Sequence, residues 1–430
     1  MAQRLNRRQL LRNSTFAGIG LWLAGNAGAS ASPHERLNIA MIGPGGRGAE
    51  NLAAISHENI VAICDVDDQR AGKAYEQFPK ARKFHDYRKM LDEMDRQIDA
   101  VLVSTPDHTH AVITIRALAM GKHVYCEKPL THNVSEARIV AQTAAKHKAV
   151  TQMGTQIHAG KNYRRCVELV RSGAIGPVRE CHVWIGGART AGERTPGNLP
   201  VPDHLKWDLW LGPARERPYS ADYVPYKWRF WWDFGTGEAG NFGCHYIDLP
   251  FWALDLRYPL TVEAEGPPVH PENTPKPLVV RWEFPARGEQ PPVKMTWHQD
   301  QGCPATVKEK GVPAGWQSGV LFMGDKGMLV ADYSRRQLLP EPQFADFKAP
   351  EPTILDSIGH HKEWTEACKT GGPTTCNFDY SGALTETVLL GNVAFRTGTK
   401  IEWDPVNLKA TNCPEAERFI REHYREGWSL

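Results

Sequence analysis

What this 430-residue chain lacks narrows it before any motif is read. Its nine cysteines, at 64, 126, 166, 181, 244, 303, 368, 376 and 413, include no C-x-x-C pair. An odd total without paired spacing argues against a disulfide framework and against a zinc site, so no metal is expected. Cys64 and Cys126 end short apolar runs and read as small buried hydrophobes, as suits folding in a reducing cytosol. No internal repeat or low-complexity tract occurs, and the apolar run Phe16–Ala24 is too short and glycine-rich for a convincing membrane span. A basic stripe is missing too. The formal net charge is +2, but residues 1–31 carry four arginines and no acid, leaving 47 basic against 49 acidic side chains. Nucleic acid and anionic membrane are therefore not expected as partners.

What is present is a globular composition, 41% hydrophobic and 23% charged, long enough for two domains. The N-terminus stands apart. Asn6-Arg7-Arg8-Gln9-Leu10-Leu11-Arg12 is a twin-arginine pattern, followed by the apolar run and by small residues at Ala27-Gly28-Ala29 and Ala29-Ser30-Ala31. Residues 1–31 read as a cleaved export signal handled by the twin-arginine machinery, giving a periplasmic or otherwise exported protein without stable membrane insertion. An uncleaved anchor or a basic tail is the alternative. A protein exported already folded can carry a cofactor with it, whereas no free nicotinamide pool is expected outside the cytoplasm. A bound nucleotide would then have to return to its starting redox state in every cycle.

The chemistry centres on Leu37 to Gly48. An apolar run, Leu37 to Ile42, leads into Gly43, Gly45 and Gly48 at G-x-G-x-x-G spacing, with Gly46 and Arg47 between them and a helical pattern after them. Gly43 suits the tight turn, Gly45 the approach of a pyrophosphate, and Gly48 close packing of helix on strand. A second strand-like run ends on Asp65, 22 positions after Gly43, where a carboxylate would bind a ribose 2′-hydroxyl and repel a 2′-phosphate. NAD is expected rather than NADP.

Beyond Asp65, strand and helix patterns alternate as far as Met153, with helices read at 68–77, 87–94, 111–120 and 135–147. That alternation predicts an α/β Rossmann domain with a parallel sheet, and its loops at 43–48, 65–67, 104–110 and 127–129 fall at strand C-termini, where ligands bind. Past Gly154 strand-like runs dominate, at 178–185, 278–284, 293–298, 320–323 and 328–332, separated by a proline-, tryptophan- and glycine-rich stretch at 194–243. Helical patterns follow at 362–369 and 383–397. The second domain is expected to be α+β on a mainly antiparallel sheet.

Four segments taken in order, Gly43-Pro44-Gly45-Gly46-Arg47-Gly48, Ser104-Thr105-Pro106-Asp107-His108-Thr109-His110, Glu127-Lys128-Pro129 and Gly240-Asn241-Phe242-Gly243-Cys244-His245-Tyr246-Ile247-Asp248, resemble the Gfo/Idh/MocA oxidoreductases. The resemblance implies an NAD-binding Rossmann domain over 36–156. Over 157–430 it implies a domain with a large open-faced sheet that carries substrate and forms a homodimer or homotetramer. It also implies a sugar or cyclitol substrate.

By the same resemblance Lys128 is the catalytic lysine, its bond to Pro129 is cis, and Ser104, Thr105, Pro106, His110, Glu127 and Gln156 line the cofactor, with His158 near substrate. An ammonium there could stabilise a developing oxyanion. His110 could equally be a polar cap. His245 is the expected proton carrier. Much of the family has Asp-x-x-x-His, whereas this chain has Asn241, which can orient an imidazole but lends it no charge. Asp248 could hold substrate hydroxyls or cap a helix. Trp228, Trp231, Trp232, Tyr223 and Tyr226 could form a sugar platform or a core, and His360 and His361 read as structural. Three functions follow: an exported oxidoreductase with captive NAD, an NAD-dependent glycoside hydrolase or lyase, or a non-catalytic sugar-binding protein.

Overall fold

A computed structural model describes residues 36–299 and 302–430; the twin-arginine stretch read in residues 1–31 lies outside the described residues. Strands β1 (Asn38–Ile42), β2 (Asn59–Cys64), β3 (Arg82–Phe84), β4 (Ala100–Val103), β5 (His123–Cys126) and β6 (Thr151–Met153) form one sheet in the order β3-β2-β1-β4-β5-β6. Every pairing in it is parallel. All four residues of β4 are buried, because helices cover both faces of such a sheet.

Labelling only helices of eight residues or more, the crossovers are α1 (Arg47–Ala54), α2 (Asp68–Gln77), α3 (Tyr87–Met94), α4 (Asp107–Ala119) and α5 (Val134–His147). Local chemistry sets their starts. The Asp67 carboxylate accepts the amides of Gln69 and Arg70 at the head of α2, and Asn133 with Glu136 forms a capping box on α5. Helix α4 begins at Asp107, four residues before the start read from the apolar pattern. Pro106 presets the entry, and the first turn, Asp107 to His110, is polar yet buried. Its burial comes from other parts of the chain, so periodicity could not reveal it.

After α6 (Lys161–Arg171), a nine-stranded sheet is built from β7 (Val178–Ile185), β8 (Thr261–Glu265), β9 (Leu278–Phe284), β10 (Val293–Gln299), β11 (Gly319–Gly324), β12 (Gly327–Ala331), β13 (Arg336–Leu339), β14 (Ile401–Asp404) and β15 (Lys409–Ala410). Its order is β13-β12-β11-β7-β10-β9-β8-β14-β15, antiparallel except where β7 meets β10. β8, β13, β14 and β15 escape the sequence pattern because they are short and carry charges in or beside the strand.

Three parts of the later chain return to the first domain. Helix α7 (His360–Thr370) sets a fully buried Trp364 among Leu37, Ile39 and Tyr125 of the parallel sheet. Helix α8 (Phe378–Thr397) lies along α5 and is buried nearly throughout, which explains its lack of an amphipathic period. The tail is the third, with Glu422 accepting from His132 Nδ1 (3.1 Å) and Asn133 Nδ2 (2.9 Å).

Residues 187–236 form the roof of the site. Leu205, Trp210, Leu211, Tyr223, Trp228, Trp231 and Phe234 give this segment a core of its own. It is pinned across the C-terminal ends of the parallel strands by the Lys206 amide on the Val66 carbonyl (2.8 Å), the Asp68 amide on the His204 carbonyl (3.0 Å), and His108 Nε2 against the Trp210 carbonyl (2.9 Å). The tryptophan cluster is therefore mostly core, and only Tyr226 and Trp228 of the five aromatics reach the cleft beneath.

Candidate active site

The glycine turn is built as its sequence requires. Gly43 has φ +78°, its amide donates to the Cys64 carbonyl (2.9 Å), and an added Cβ would lie 2.8 Å from the Ser104 carbonyl oxygen. A Cβ on Gly48 would overlap the Gly43 carbonyl oxygen, so only glycine lets α1 start this close to β1. The result is a cradle of backbone at a helix N-terminus, open to an anion.

The turn forms one wall of a cavity of about 440 Å³, which Gly43, Gly45, Gly46, Arg47, Asp65, Ser104, Thr105 and Pro106 all line. Its opposite wall is the 187–236 segment, through Leu205, Trp210, Tyr226, Trp228 and Arg229, and Trp428 of the tail closes one end beside Tyr87. Burial pushes the Asp65 carboxyl up to about 7, with the Asp67 amide and the Arg70 guanidinium opposing it.

Lys128 and Glu127 follow β5. The Lys128–Pro129 bond is cis. The Glu127 carboxylate is buried and accepts Asn51 Nδ2 (2.9 Å) and Gln156 Nε2 (2.8 Å), with Arg47 Nε at 3.6 Å. Burial alone would raise its pKa, but Lys128, Arg47 and these bonds hold it below the usual range. Lys128 Nζ donates to Asn241 Oδ1 at 2.6 Å. Burial draws the lysine pKa down, Glu127 opposes, and the nearby Arg229 charge draws it further down.

Asn241 lies on a π turn, Ala239–Gly243, which runs directly into the short helix of His245. The expected single α-helical face for Asn241 and His245 is thus replaced by a wider turn, a form found often at functional sites. A Cβ on Gly240 would overlap Thr236 and lie 3.1 Å from Pro129 Cγ, so glycine sets how closely this turn meets the Lys128 loop. His245 is pulled down to about 3, chiefly by burial and then by the Lys128 charge, and its Nδ1 is buried without a partner. A lysine and a neutral imidazole from the two domains are thus near enough for the charge of one to act on the other, and neither is among the residues that line the cavity of the glycine turn.

A buried carboxylate with no motif around it in the sequence stands behind them. Asn241 Nδ2 donates to Glu238 Oε2 (2.7 Å), and Arg189 Nε donates to Glu238 Oε1 (2.6 Å). The amide so joins the Lys128 ammonium to the Glu238 carboxylate. Its only sequence signal is an acid three residues before Asn241. His361, read as structural, bonds Asn51 Oδ1 through Nε2 (2.9 Å) and stacks on Tyr125, close to Glu127.

Four expected site residues sit elsewhere. His110 is buried and bridges the carbonyls of Pro129 (2.8 Å, Nδ1) and Thr105 (2.8 Å, Nε2). Against the burial penalty, Cys126, Asp107 and the Pro129 carbonyl push it up to about 10, so it clamps the two loops together rather than lining the cavity. Gln156 bonds Tyr125 and Glu127 and acts through the glutamate. Asp248 is fully buried, with its oxygens taken by His158 Nδ1 (2.9 Å) and the Tyr380 hydroxyl (2.6 Å), which leaves none for a substrate hydroxyl. His158 is likewise buried, stacked on Trp252. The ligand atoms of these two and Cys376 lie within 4.8 Å of one another; Asp248 is bonded to His158 and Tyr380, the Thr155 hydroxyl donates to Cys376 Sγ, and His158 Nε2 is buried without a partner. All nine cysteines are unpaired.

Residues 37–155 match the family description "Oxidoreductase family, NAD-binding Rossmann fold", and residues 182–286 match the "C-terminal alpha/beta domain" of the same family. Together they span just over half of the chain. The chain belongs to the Gfo/Idh/MocA oxidoreductase family. Its Rossmann unit takes NAD, and the glycine cradle and Asp65 fit that nucleotide.

Among relatives, a glycosyl hydrolase family 109 protein of Solibacter usitatus is 30% identical over 193 residues, 40% of this chain and 44% of the relative. The inositol 2-dehydrogenase of Salmonella typhimurium is 28% identical over 167 residues, 37% and 49%. The chain thus aligns with about half the length of these curated relatives. Similar folds occur in an aldose-aldose oxidoreductase from Caulobacter crescentus (TM-score 0.58, 16% identity, 86% of this chain and 100% of that one). They occur also in the WlbA dehydrogenase from Bordetella pertussis, solved with NADH and UDP-GlcNAcA (0.61, 15%, 86% and 99%). Among the described residues, no helix of this family member is long and apolar enough to cross a membrane.

Proposed function

We propose that this protein oxidises a CH–OH group of one sugar or cyclitol and passes the hydride to the carbonyl of a second sugar-like substrate, with NAD that stays bound through turnover, and that it works outside the cytoplasm after twin-arginine export. The observation that carries the reading is the hydrogen bond from Lys128 to Asn241, which joins the loop after β5 to the turn of the second domain that leads into His245. NAD, when bound, takes up the hydride and gives it back. Lys128 donates a hydrogen bond to the substrate oxygen and stabilises the charge that develops on it. Neutral His245 accepts the hydroxyl proton and returns it in the reverse step.

Retention is supported by the roof. Residues 187–236 and Trp428 cover the cleft that the strand ends would otherwise leave open, and a covered site exchanges ligand slowly. Export of a folded holoenzyme would require this. The nine-stranded sheet is the surface through which a homodimer or homotetramer would form.

Three measurements test the reading. Protein purified and dialysed should still release NAD on denaturation, and its absence by mass spectrometry would end the idea of a captive cofactor. Lys128→Ala and His245→Ala should each lower turnover by about 100-fold or more with the nucleotide still bound; wild-type rates would remove them from the mechanism. A mature form lacking residues 1–31 outside the cytoplasm would establish export.

A second reading is NAD-dependent glycoside cleavage by oxidation, elimination and reduction. Asn241 in the family's aspartate position and the likeness to the Solibacter protein favour it. Aryl glycosides under anaerobic conditions discriminate, since phenol release without net NADH supports cleavage and no release across several sugars counts against it.

A further inference from the structure

Arg229 stands on the wall that residues 187–236 present to the cleft. Its guanidinium is stacked against the rings of Trp228 (4.1 Å) and Tyr226 (4.6 Å), which fix its plane. Among the described residues it makes one hydrogen bond, from Nη1 to the Tyr226 carbonyl at 3.2 Å, and it has no carboxylate at ion-pair distance. The acids around it are committed elsewhere. Asp107 accepts the amide (3.2 Å) and hydroxyl (2.8 Å) of Thr236, Glu127 is held by Asn51 and Gln156, and Glu238 by Arg189 and Asn241. Lys128 is near enough that the charge of Arg229 depresses its proton affinity.

Arg229 is therefore a cation on the cleft wall whose charge is felt by Lys128, and it keeps most of its five donors for a ligand. A planar, stacked guanidinium with free donors is matched to a flat two-oxygen anion. We propose, resting on the sugar oxidoreductase reading, that Arg229 is an anion subsite that binds the carboxylate of an acidic sugar, a uronate or aldonate. Seating that carboxylate on Arg229 also relieves the repulsion on Lys128 and keeps its ammonium protonated for the oxyanion. The other oxyanion within reach is the pyrophosphate of the cofactor, for which the amides at the head of α1 already form a cradle.

The test is titration calorimetry of the NAD-loaded protein with D-glucuronate and with D-glucose, which share a ring and differ in the carboxylate, at low and high salt. Glucuronate should bind about 10-fold or more tightly, and the advantage should shrink with salt. Arg229→Gln should abolish that preference while the NAD content, read by mass after denaturation, stays that of the wild type. Equal binding of the two sugars overturns the proposal, as does loss of NAD in Arg229→Gln with the preference intact, which would give the guanidinium to the pyrophosphate. Should Arg229→Gln fail to fold, Arg229→Lys keeps the charge without the fork and should show a reduced preference; an unchanged one rejects the subsite. Binding of neither sugar by a wild-type protein that holds NAD sinks the wider reading as well, and so separates the two failures.

Discussion

Asn241 removes a negative charge from the site, and Glu238 restores one a single hydrogen bond further back. Both ends of the amide are used, its oxygen by Lys128 and its nitrogen by Glu238, so the carboxylate steadies the ammonium without touching it. Glu238→Gln should lower kcat/KM by about 10-fold, the order expected for one hydrogen bond to a charged group. With the carboxylate gone and Arg189 released, Lys128 loses its proton more readily, so the alkaline limb of the pH profile should move to lower pH. Glu238→Asp should restore part of the loss. A change in rate with an unmoved limb would make Glu238 merely structural. Lys128 and His245 were legible as residues because each sits in a short motif. The bond from Lys128 to the Asn241 amide was not, since it joins positions 113 apart in the chain.

Among the elements, the β1–α1 turn is the one whose chemistry is fully written in sequence, because every glycine there answers a local constraint. Gly48→Ala would drive a methyl group into the Gly43 carbonyl and move the head of α1 off the strand. The protein should then lose its bound nucleotide and melt several degrees lower. Gly72, inside α2, has nothing within 4 Å of a Cβ, so Gly72→Ala should raise stability by about 0.5–1 kcal/mol and leave the cofactor alone. Calorimetry with a nucleotide assay reads both, and equal effects would refute the packing argument. The start of α4 shows the opposite case. Asp107 to His110 look like loop because their burial is supplied by Trp210, Phe234 and Pro129 from distant positions.

At the scale of the molecule, burial fixes how stability depends on pH. His108 and His361 are held near 4 and His245 and His360 near 3, in each case chiefly by desolvation. The unfolded chain binds these protons first, so the stability they support is full above about 6.5 and is lost as pH falls toward 3 to 4. His132 runs the other way. Against burial, its bond to Glu422 pushes it up to about 9, so its contribution is full below about 6.5 and fades as pH rises through 9. Glu422, brought down to about 2 by His132 against the pull of burial, adds a share that is lost as pH falls from about 4.5 toward 2. The melting temperature should therefore fall steadily from pH 6.5 to 4, and a flat profile over that interval would contradict these environments. What the sequence determined by itself was whatever depends on neighbours along the chain: the alternation that makes a parallel sheet, the glycine turn with its acid 22 residues on, and the family motifs. Tertiary structure alone decided which side chains are in reach of the cleft. It withdrew Asp248 and His110 into bonds of their own, laid residues 187–236 over the strand ends, and set Glu238 behind Asn241, because burial and partner choice are properties of segments that meet only once the chain is folded.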